Sequence, residues 1–212
     1  MSTESISFTA YVFGDKDVGK TKLVQKNGDI SNTILGDSVS RTVQVNEKSI
    51  NIQIFERSSR LSLFGMGPNY YKGANAIFAV FDLTYANSYN SVVNTWLREI
   101  KKYSSPHSTF IVIGNKNDLP NRLVDDESAI RAKMNEQGIK HYYEVNAIDG
   151  SGLDEMFNAI VPDLLEKMDS FNRGSLDTSS NSSSTNMIKE INSKQQLKRE
   201  KELEKKTRFY FF

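Results

Sequence analysis

The chain has 212 residues, with 27 lysines and arginines against 26 aspartates and glutamates, a formal net charge of +1. This balance gives no general attraction to nucleic acid or to an anionic membrane, so we expect no nucleic-acid partner. Cysteine is absent, which excludes disulfides, thiolate metal sites and a thioether-linked prenyl anchor. No apolar stretch approaches the roughly 20 residues that span a bilayer, and no signal peptide is recognisable, so we expect a cytoplasmic protein.

Strand-like and helix-like segments alternate along the first three quarters of the chain. Continuous apolar runs predict strands covered on both faces at residues 7–13, 76–83 and 109–115. Two alternating runs between Arg41 and Phe55 predict a hairpin around Asn46 and Glu47. Apolar residues at helical spacing predict helices that begin at residue 21 or cover residues 91–103 and 154–168. This alternation favours an α/β fold with a mostly parallel sheet, helices on both faces and one antiparallel hairpin edge.

The composition divides the chain into three parts. Residues 5–170 are expected to form one domain, and residues 171–186, rich in serine and asparagine, a flexible linker. Residues 187–212 form a charged tail that ends in "KKTRFYFF". A solvated helix, a peptide that docks in a partner groove and an unstructured end all remain open for this tail. Weak contact of its basic and aromatic residues with a membrane surface is a further alternative.

The stretch "YVFGDKDVGKTKLV" contains the pattern G-x-x-x-x-G-K-[ST] between a predicted strand and a predicted helix. Backbone N–H groups of such a loop converge on phosphate oxygens, and its lysine bridges the terminal phosphates. The hydroxyl of Thr21 would be a ligand of Mg²⁺. The residues that we predict around the phosphates are Asp15, Lys16, Asp17, Val18, Gly19, Lys20, Thr21 and Lys22.

A second motif, "VIGNKNDLP", directly follows a predicted strand, at the edge of the sheet where open α/β folds bind ligands. The carboxylate of Asp118 can accept from both N1–H and the exocyclic amine of guanine. Lys116 can lie across the base plane, and Asn115 can tie this loop to the phosphate loop. The two motifs together predict a site for guanine nucleotide, GTP or GDP.

These motifs, together with "YYKGANAIFAVFDLT" and "NSYNSVVNTWLREI", resemble the Ras superfamily of small GTPases, and most closely its Rab branch. The resemblance implies the P-loop NTPase fold of small G proteins, with a six-stranded sheet, Mg²⁺ and two switch loops that reorganise with the γ-phosphate. It also implies effector or regulatory proteins at the switch face and a part in vesicle traffic. The protein would then be cytoplasmic, with peripheral attachment to endomembranes through partners as an alternative.

The residues of the hydrolytic machinery depart from the family pattern. Glu56 stands where an aspartate holds Mg²⁺ through water, and its extra methylene is expected to weaken metal binding. Ser59 stands at the glycine whose N–H approaches the γ-phosphate. Arg60 stands at the glutamine that orients the attacking water, and arginine has no acceptor for that task. We expect slow hydrolysis, unless Arg60 is only a solvent-facing loop residue.

Three further positions also differ from the family. Lys16 is expected to crowd an incoming arginine finger, and Asp17 places a carboxylate near the triphosphate. Thr33 matches the second hydroxyl ligand of Mg²⁺, but the segment before it is several residues short, which puts its reach to the metal in question. The guanine-contacting Ser-Ala-Lys of the family is replaced by Asn146, Ala147 and Ile148, where the N–H of Ala147 would reach guanine O6.

Two functions from different classes follow from these motifs. The first is an atypical Rab-like small GTPase with slow intrinsic turnover. The second is a pseudo-GTPase scaffold that uses the fold for interaction and binds nucleotide weakly or not at all. A P-loop kinase acting on a small molecule is disfavoured, because the Asn-Lys-x-Asp motif indicates guanine recognition.

Overall fold

The structure, a computed structural model, describes residues 6–26, 29–33, 36–45, 48–56 and 73–177. Within these ranges it describes only the backbone of residues 29–33, 36–37, 48 and 173–177. The chain divides into two units, Met1–Met168 and Asp169–Phe212. The site described below belongs entirely to the first unit.

The described elements alternate between strand and helix. In chain order they are β1 (Ile6–Phe13), α1 (Lys20–Lys26), β2 (Asp29–Thr33), β3 (Gly36–Val45), β4 (Lys48–Glu56), β5 (Ala76–Asp82), α2 (Ala86–Ser91), a π-helical turn (Val92–Trp96), α3 (Leu97–Tyr103), β6 (Thr109–Asn115), α4 (Glu127–Glu136), β7 (His141–Val145) and α5 (Leu153–Asp177).

The described strands form one sheet in the order β2-β3-β4-β1-β5-β6-β7. Strands β4, β1, β5, β6 and β7 run parallel to one another, whereas β3 runs antiparallel to β4. The pair Val45–Lys48 closes the predicted hairpin. The predicted fold class is confirmed, and six of the strands match the expected sheet. Strand β2 is a seventh, paired antiparallel with β3 at the edge; its sequence, "DISNT", lacks the apolar alternation that would have predicted it.

The core lies on both faces of the sheet, as the continuous apolar strands predict. All seven residues of β5 are buried. Because successive side chains of a strand point to opposite faces, Phe78 and Val80 join the apolar cluster that includes α1 and α5, whereas Ile77 and Phe81 join the cluster that includes α2, α3 and α4. Packing on both faces of the sheet fixes the positions of the strand ends, where the loops of the site begin.

Helix α5 extends further than the sequence predicts. It continues through Asp177, so the first seven residues of the expected linker, 171–177, are helical. Adding a residue to an existing helix requires no new nucleation, and a polar sequence can therefore continue it. Residues 178–212, with the rest of the expected linker and the tail, lie outside the described residues. Within the described residues, no helix is both long and apolar enough to cross a membrane.

Candidate nucleotide-binding site

The phosphate loop joins β1 to α1 and turns through three residues with positive φ. These are Gly14 (φ 144°), Asp17 (φ 63°) and Gly19 (φ 94°). A Cβ on Gly19 would lie 2.2 Å from Nδ2 of Asn115, so only glycine permits this close approach of the two loops. Asp17 adopts the left-handed conformation without that freedom, although aspartate tolerates it better than most residues.

Lys20 is the buried cation of this loop. Its residue is 7% exposed, and its Nζ donates a hydrogen bond to the backbone carbonyl of Asp15. Burial lowers the pKa of Lys20, while the negative charges of Glu56, Asp15 and Asp17 act in the opposite direction. The ammonium is held at the loop by the carbonyl of Asp15, in the position from which it would bridge phosphates.

Two of the predicted metal ligands are in contact. The parallel register of β1 and β4 pairs Val12 with Glu56, which brings the end of β4 beside the phosphate loop. There the Thr21 hydroxyl donates to Oε1 of Glu56 over 2.7 Å. A hydroxyl and a carboxylate are the oxygen ligands that Mg²⁺ accepts alongside substrate phosphates. Within the described residues, no group of three or more His, Cys, Asp or Glu side chains could hold a metal ion.

Thr33, the third predicted metal ligand, belongs to strand β2. It pairs with Gly36 of β3, and β3 in turn pairs with β4, whose last residue is Glu56. Strands β2 and β4 therefore end on the same side of the sheet. Thr33 and Glu56 are separated there by two strand spacings, about 10 Å. Its side chain lies outside the described residues.

Asn115 joins three loops, whereas the sequence predicts only its link to the phosphate loop. The residue is 2% exposed and ends β6. Its Nδ2 donates to the carbonyl of Val18 over 2.9 Å, and its Oδ1 accepts from the N–H of Ala147 over 3.0 Å. The phosphate loop and the two base-reading loops are thus fixed to one another by a single buried amide.

Lys116 connects the base-reading loop to two other elements. Its Nζ donates to Oδ2 of Asp82 over 2.6 Å and to the carbonyl of Asp17 over 3.2 Å. With the ammonium held at the end of β5 and at the phosphate loop, the aliphatic stem has a fixed direction, which suits its expected place across the base. Asp82 is not among the residues that the sequence predicts for the site, although its position at the carboxyl end of a parallel strand next to β6 is a usable signal.

Asp82 is expected to make stability depend on pH. Burial alone would raise the pKa of Asp82, but hydrogen bonds from Lys116 and Thr84 outweigh it and lower the pKa below its ordinary value of 3.8. The contribution of the ion pair is therefore complete above that value and is lost as the pH falls through the folded-state pKa. Asp82→Asn should lower the free energy of unfolding by about 1 to 3 kcal/mol at neutral pH, and urea titrations below pH 3.8 should show a smaller difference.

The matched control for Asp82→Asn is Glu136→Gln, because Glu136 is an exposed carboxylate at the end of α4. A surface substitution of this kind should change the free energy of unfolding by less than about 0.5 kcal/mol. An Asp82→Asn difference of equal size at pH 3 and pH 7 would contradict the assignment of the ion pair.

The remaining base-reading residues differ in burial. Asn146 and Ala147 are buried, and Oδ1 of Asn146 accepts from the N–H of Ile148 over 2.8 Å, which shapes the third loop. The side chain of Ile148 is exposed, as is Asp118. The N–H of Ala147 donates to Oδ1 of Asn115 over 3.0 Å, so the predicted contact with guanine O6 would have to share this donor.

Lys16 and Asp17 lie on the outer surface of the phosphate loop. Their side chains are 81% and 84% exposed, and Nζ of Lys16 lies 3.8 Å from Oδ2 of Asp17. An exposed pair of this kind contributes about 1 kcal/mol at most. Lys22 is exposed on α1. The structure thus brings together Lys20, Thr21 and Asn115. The side chains of Lys16, Asp17 and Lys22 remain at the surface.

Ser59 and Arg60, on which the expectation of slow hydrolysis depends, lie outside the described residues. A contact that the sequence did not predict is present instead: the indole N–H of Trp96 donates to Oδ1 of Asp15 over 2.9 Å.

Comparison with known proteins identifies one family. The model of the Ras family matches residues 10–166. The Arabidopsis thaliana "Ras-related protein RABD2a" is 33% identical over 168 residues, which cover 76% of this chain and 81% of that protein. "GTP-binding protein YPTM2" of Zea mays is 32% identical, with 76% of this chain and 81% of that protein covered. The Drosophila melanogaster "Ras-related protein Rab7" is also 32% identical, covering 73% and 79%.

Proposed function

The chain belongs to the Ras family of small GTPases, close to its Rab branch, and on this premise we propose that it is a guanine-nucleotide switch with slow intrinsic hydrolysis. The observation that supports the binding half is the buried amide of Asn115, which holds the phosphate loop and both base-reading loops together. Loops that are hydrogen-bonded to one another bind a ligand with a smaller cost of ordering.

Each described residue has a separate task in this proposal. Lys20 neutralises phosphate charge at the loop, and Asp118 accepts from the guanine ring. Lys116 covers the base with its stem while Asp82 holds its ammonium. Thr21 and Glu56 would hold Mg²⁺, directly and through water. Mg²⁺, when bound, offsets the charge on the phosphate oxygens.

The slow hydrolysis is proposed from the sequence. Arg60, at the position of the water-orienting glutamine, has five donors and no acceptor, so it cannot take a hydrogen bond from an attacking water. Its positive charge would favour bound triphosphate instead. Ser59 adds a Cβ where the backbone must approach the γ-phosphate.

The nucleotide that the protein retains through purification without added ligand tests both halves of the proposal. We expect GTP to predominate after release by denaturation and separation by chromatography. A predominance of GDP would refute slow hydrolysis while leaving the binding site intact. An empty site would refute both halves.

The alternative, a pseudo-GTPase scaffold, is favoured by one observation. Residues 29–33, where the resemblance places a hydroxyl ligand of Mg²⁺, are hydrogen-bonded into the sheet as strand β2, and a strand in a sheet is less free to close over a nucleotide. Because a ligand that binds only the native state stabilises it by mass action, a melting temperature that GTP or GDP with Mg²⁺ leaves unchanged would support the scaffold.

The cellular setting is proposed from family membership. We place the protein in vesicle traffic, in the cytoplasm or on endomembranes through effector and regulatory partners at the switch face. The proposed domain is residues 5–170, followed by linker sequence up to residue 186 and a charged tail over residues 187–212. That tail would add weak contact with a membrane surface at most.

A further inference from the structure

Trp96 connects the helix after β5 to the phosphate loop. Its indole N–H donates to Oδ1 of Asp15 over 2.9 Å, and its ring centroid lies 5.9 Å from that of Phe13, at the end of β1. It is the single tryptophan of the chain. Apolar spacing predicts Trp96 as a core-facing residue of an ordinary helix, yet its polar atom reaches the loop.

The π-helical turn explains how one side chain serves both purposes. Val92–Trp96 interrupts the α-helical course between Ala86 and Tyr103, and a π turn takes up one residue more than an α turn. Because each residue advances a helix by about 100°, such an insertion changes the face that later side chains present. Leu97 and Ile100 remain buried in the core, while the indole edge of Trp96 meets Asp15.

Asp15 in turn connects Trp96 to the lysine of the loop. Its carboxylate accepts from Trp96, and its backbone carbonyl accepts from Nζ of Lys20. Fixing the side chain of Asp15 therefore restricts the carbonyl that orients Lys20. The same hydrogen bond directs the negative charge of the Asp15 carboxylate toward the helix, where the indole N–H of Trp96 donates to it.

We propose that Trp96 is a positioning residue for nucleotide binding, which acts through Asp15 on the phosphate loop. This inference rests on the proposed nucleotide site and deepens it. Without the indole N–H, the carboxylate of Asp15 is free to turn, and the phosphate loop loses a fixed anchor for Lys20. The ring of Trp96 would still fill its place against Phe13, so packing and positioning are separable by experiment.

Trp96→Phe separates packing from positioning, because it keeps an aromatic ring and removes the hydrogen-bond donor. Loss of a hydrogen bond to a charged group should make release of fluorescently labelled GDP about tenfold faster. Tyr85→Phe is the control, since Tyr85 is a half-exposed aromatic just before α2, and it should leave release unchanged. Asp15→Ala and the double variant complete the cycle.

The cycle separates positioning from packing. If Trp96 acts through Asp15, Trp96→Phe adds nothing to the release rate of Asp15→Ala. Additive effects would overturn the inference, because they would mean that Trp96 contributes by packing alone. Wild-type protein that binds no nucleotide would refute the proposed function and this role with it, whereas binding that Trp96→Phe leaves unchanged would overturn the positioning role alone.

A second readout does not need nucleotide. A single tryptophan gives a single indole N–H resonance in a nitrogen-15 correlation spectrum, and a bond to a carboxylate should place it downfield. Asp15→Ala should move this resonance, while Glu136→Gln, at the exposed end of α4, should not. A resonance that Asp15→Ala leaves in place would show that the contact is absent and overturn the inference.

Discussion

Asn115→Ala is expected to separate the phosphate loop from both base-reading loops and to lower the free energy of unfolding by about 2 to 6 kcal/mol. The amide satisfies the carbonyl of Val18 and the N–H of Ala147, and both bonds are buried. Alanine leaves these groups without their partner, at a cost of about 1 to 3 kcal/mol each. Urea titration, followed by the fluorescence of Trp96, measures this loss without nucleotide.

The same variant should release labelled GDP much faster than the wild type, because the cradle would have to be ordered at each binding event. Asn117→Ala is the matched control. The side chain of Asn117 is exposed, and its contact with the carbonyl of Glu144, at 3.4 Å, is at the limit of a hydrogen bond. Equal losses in the two variants would contradict the bridging role of Asn115.

The parts of the site that the sequence predicts are those in which a motif with known ligand chemistry directly follows a predicted strand. A buried strand followed by Gly14 to Thr21 predicts a phosphate loop, and the end of β6 predicts the base-reading loop. The parallel sheet then requires these two strand ends to meet at one edge. For this reason the link from Asn115 to the phosphate loop could be anticipated from the sequence, together with the burial of the strands beneath it, whereas its bond to Ala147 could not.

The parts that sequence reasoning missed depend on contacts between distant segments. Strand β2 has no apolar alternation and exists because it pairs with β3. The π turn has the same apolar spacing as an α-helix within one residue, so periodicity does not reveal it. The partners Asp82 and Trp96 are ordinary residues of a strand and a helix until Lys116 and Asp15 are brought beside them.

The second large effect is expected at Glu56. Glu56→Ala should raise the Mg²⁺ concentration needed to slow GDP release by about 10- to 100-fold, the usual effect of removing an outer-shell partner of a metal. The carboxylate accepts from the Thr21 hydroxyl over 2.7 Å, so it orients the ligand that would hold the metal directly. Titrating Mg²⁺ against the release rate of labelled GDP measures this requirement.

The sign of the Glu56 effect should reverse when Mg²⁺ is removed. Of the charges around Lys20, that of Glu56 acts most strongly to raise the pKa of Lys20. Without the metal, the same negative charge repels phosphate oxygens. In excess chelator, Glu56→Ala should therefore release GDP more slowly than the wild type, although it releases GDP faster in low millimolar Mg²⁺. Glu56→Gln, which retains an acceptor for Thr21 without the charge, should fall between the two at each Mg²⁺ concentration. Faster release in both conditions would indicate general damage to the loop, and an unchanged Mg²⁺ requirement would remove Glu56 from the proposed metal site.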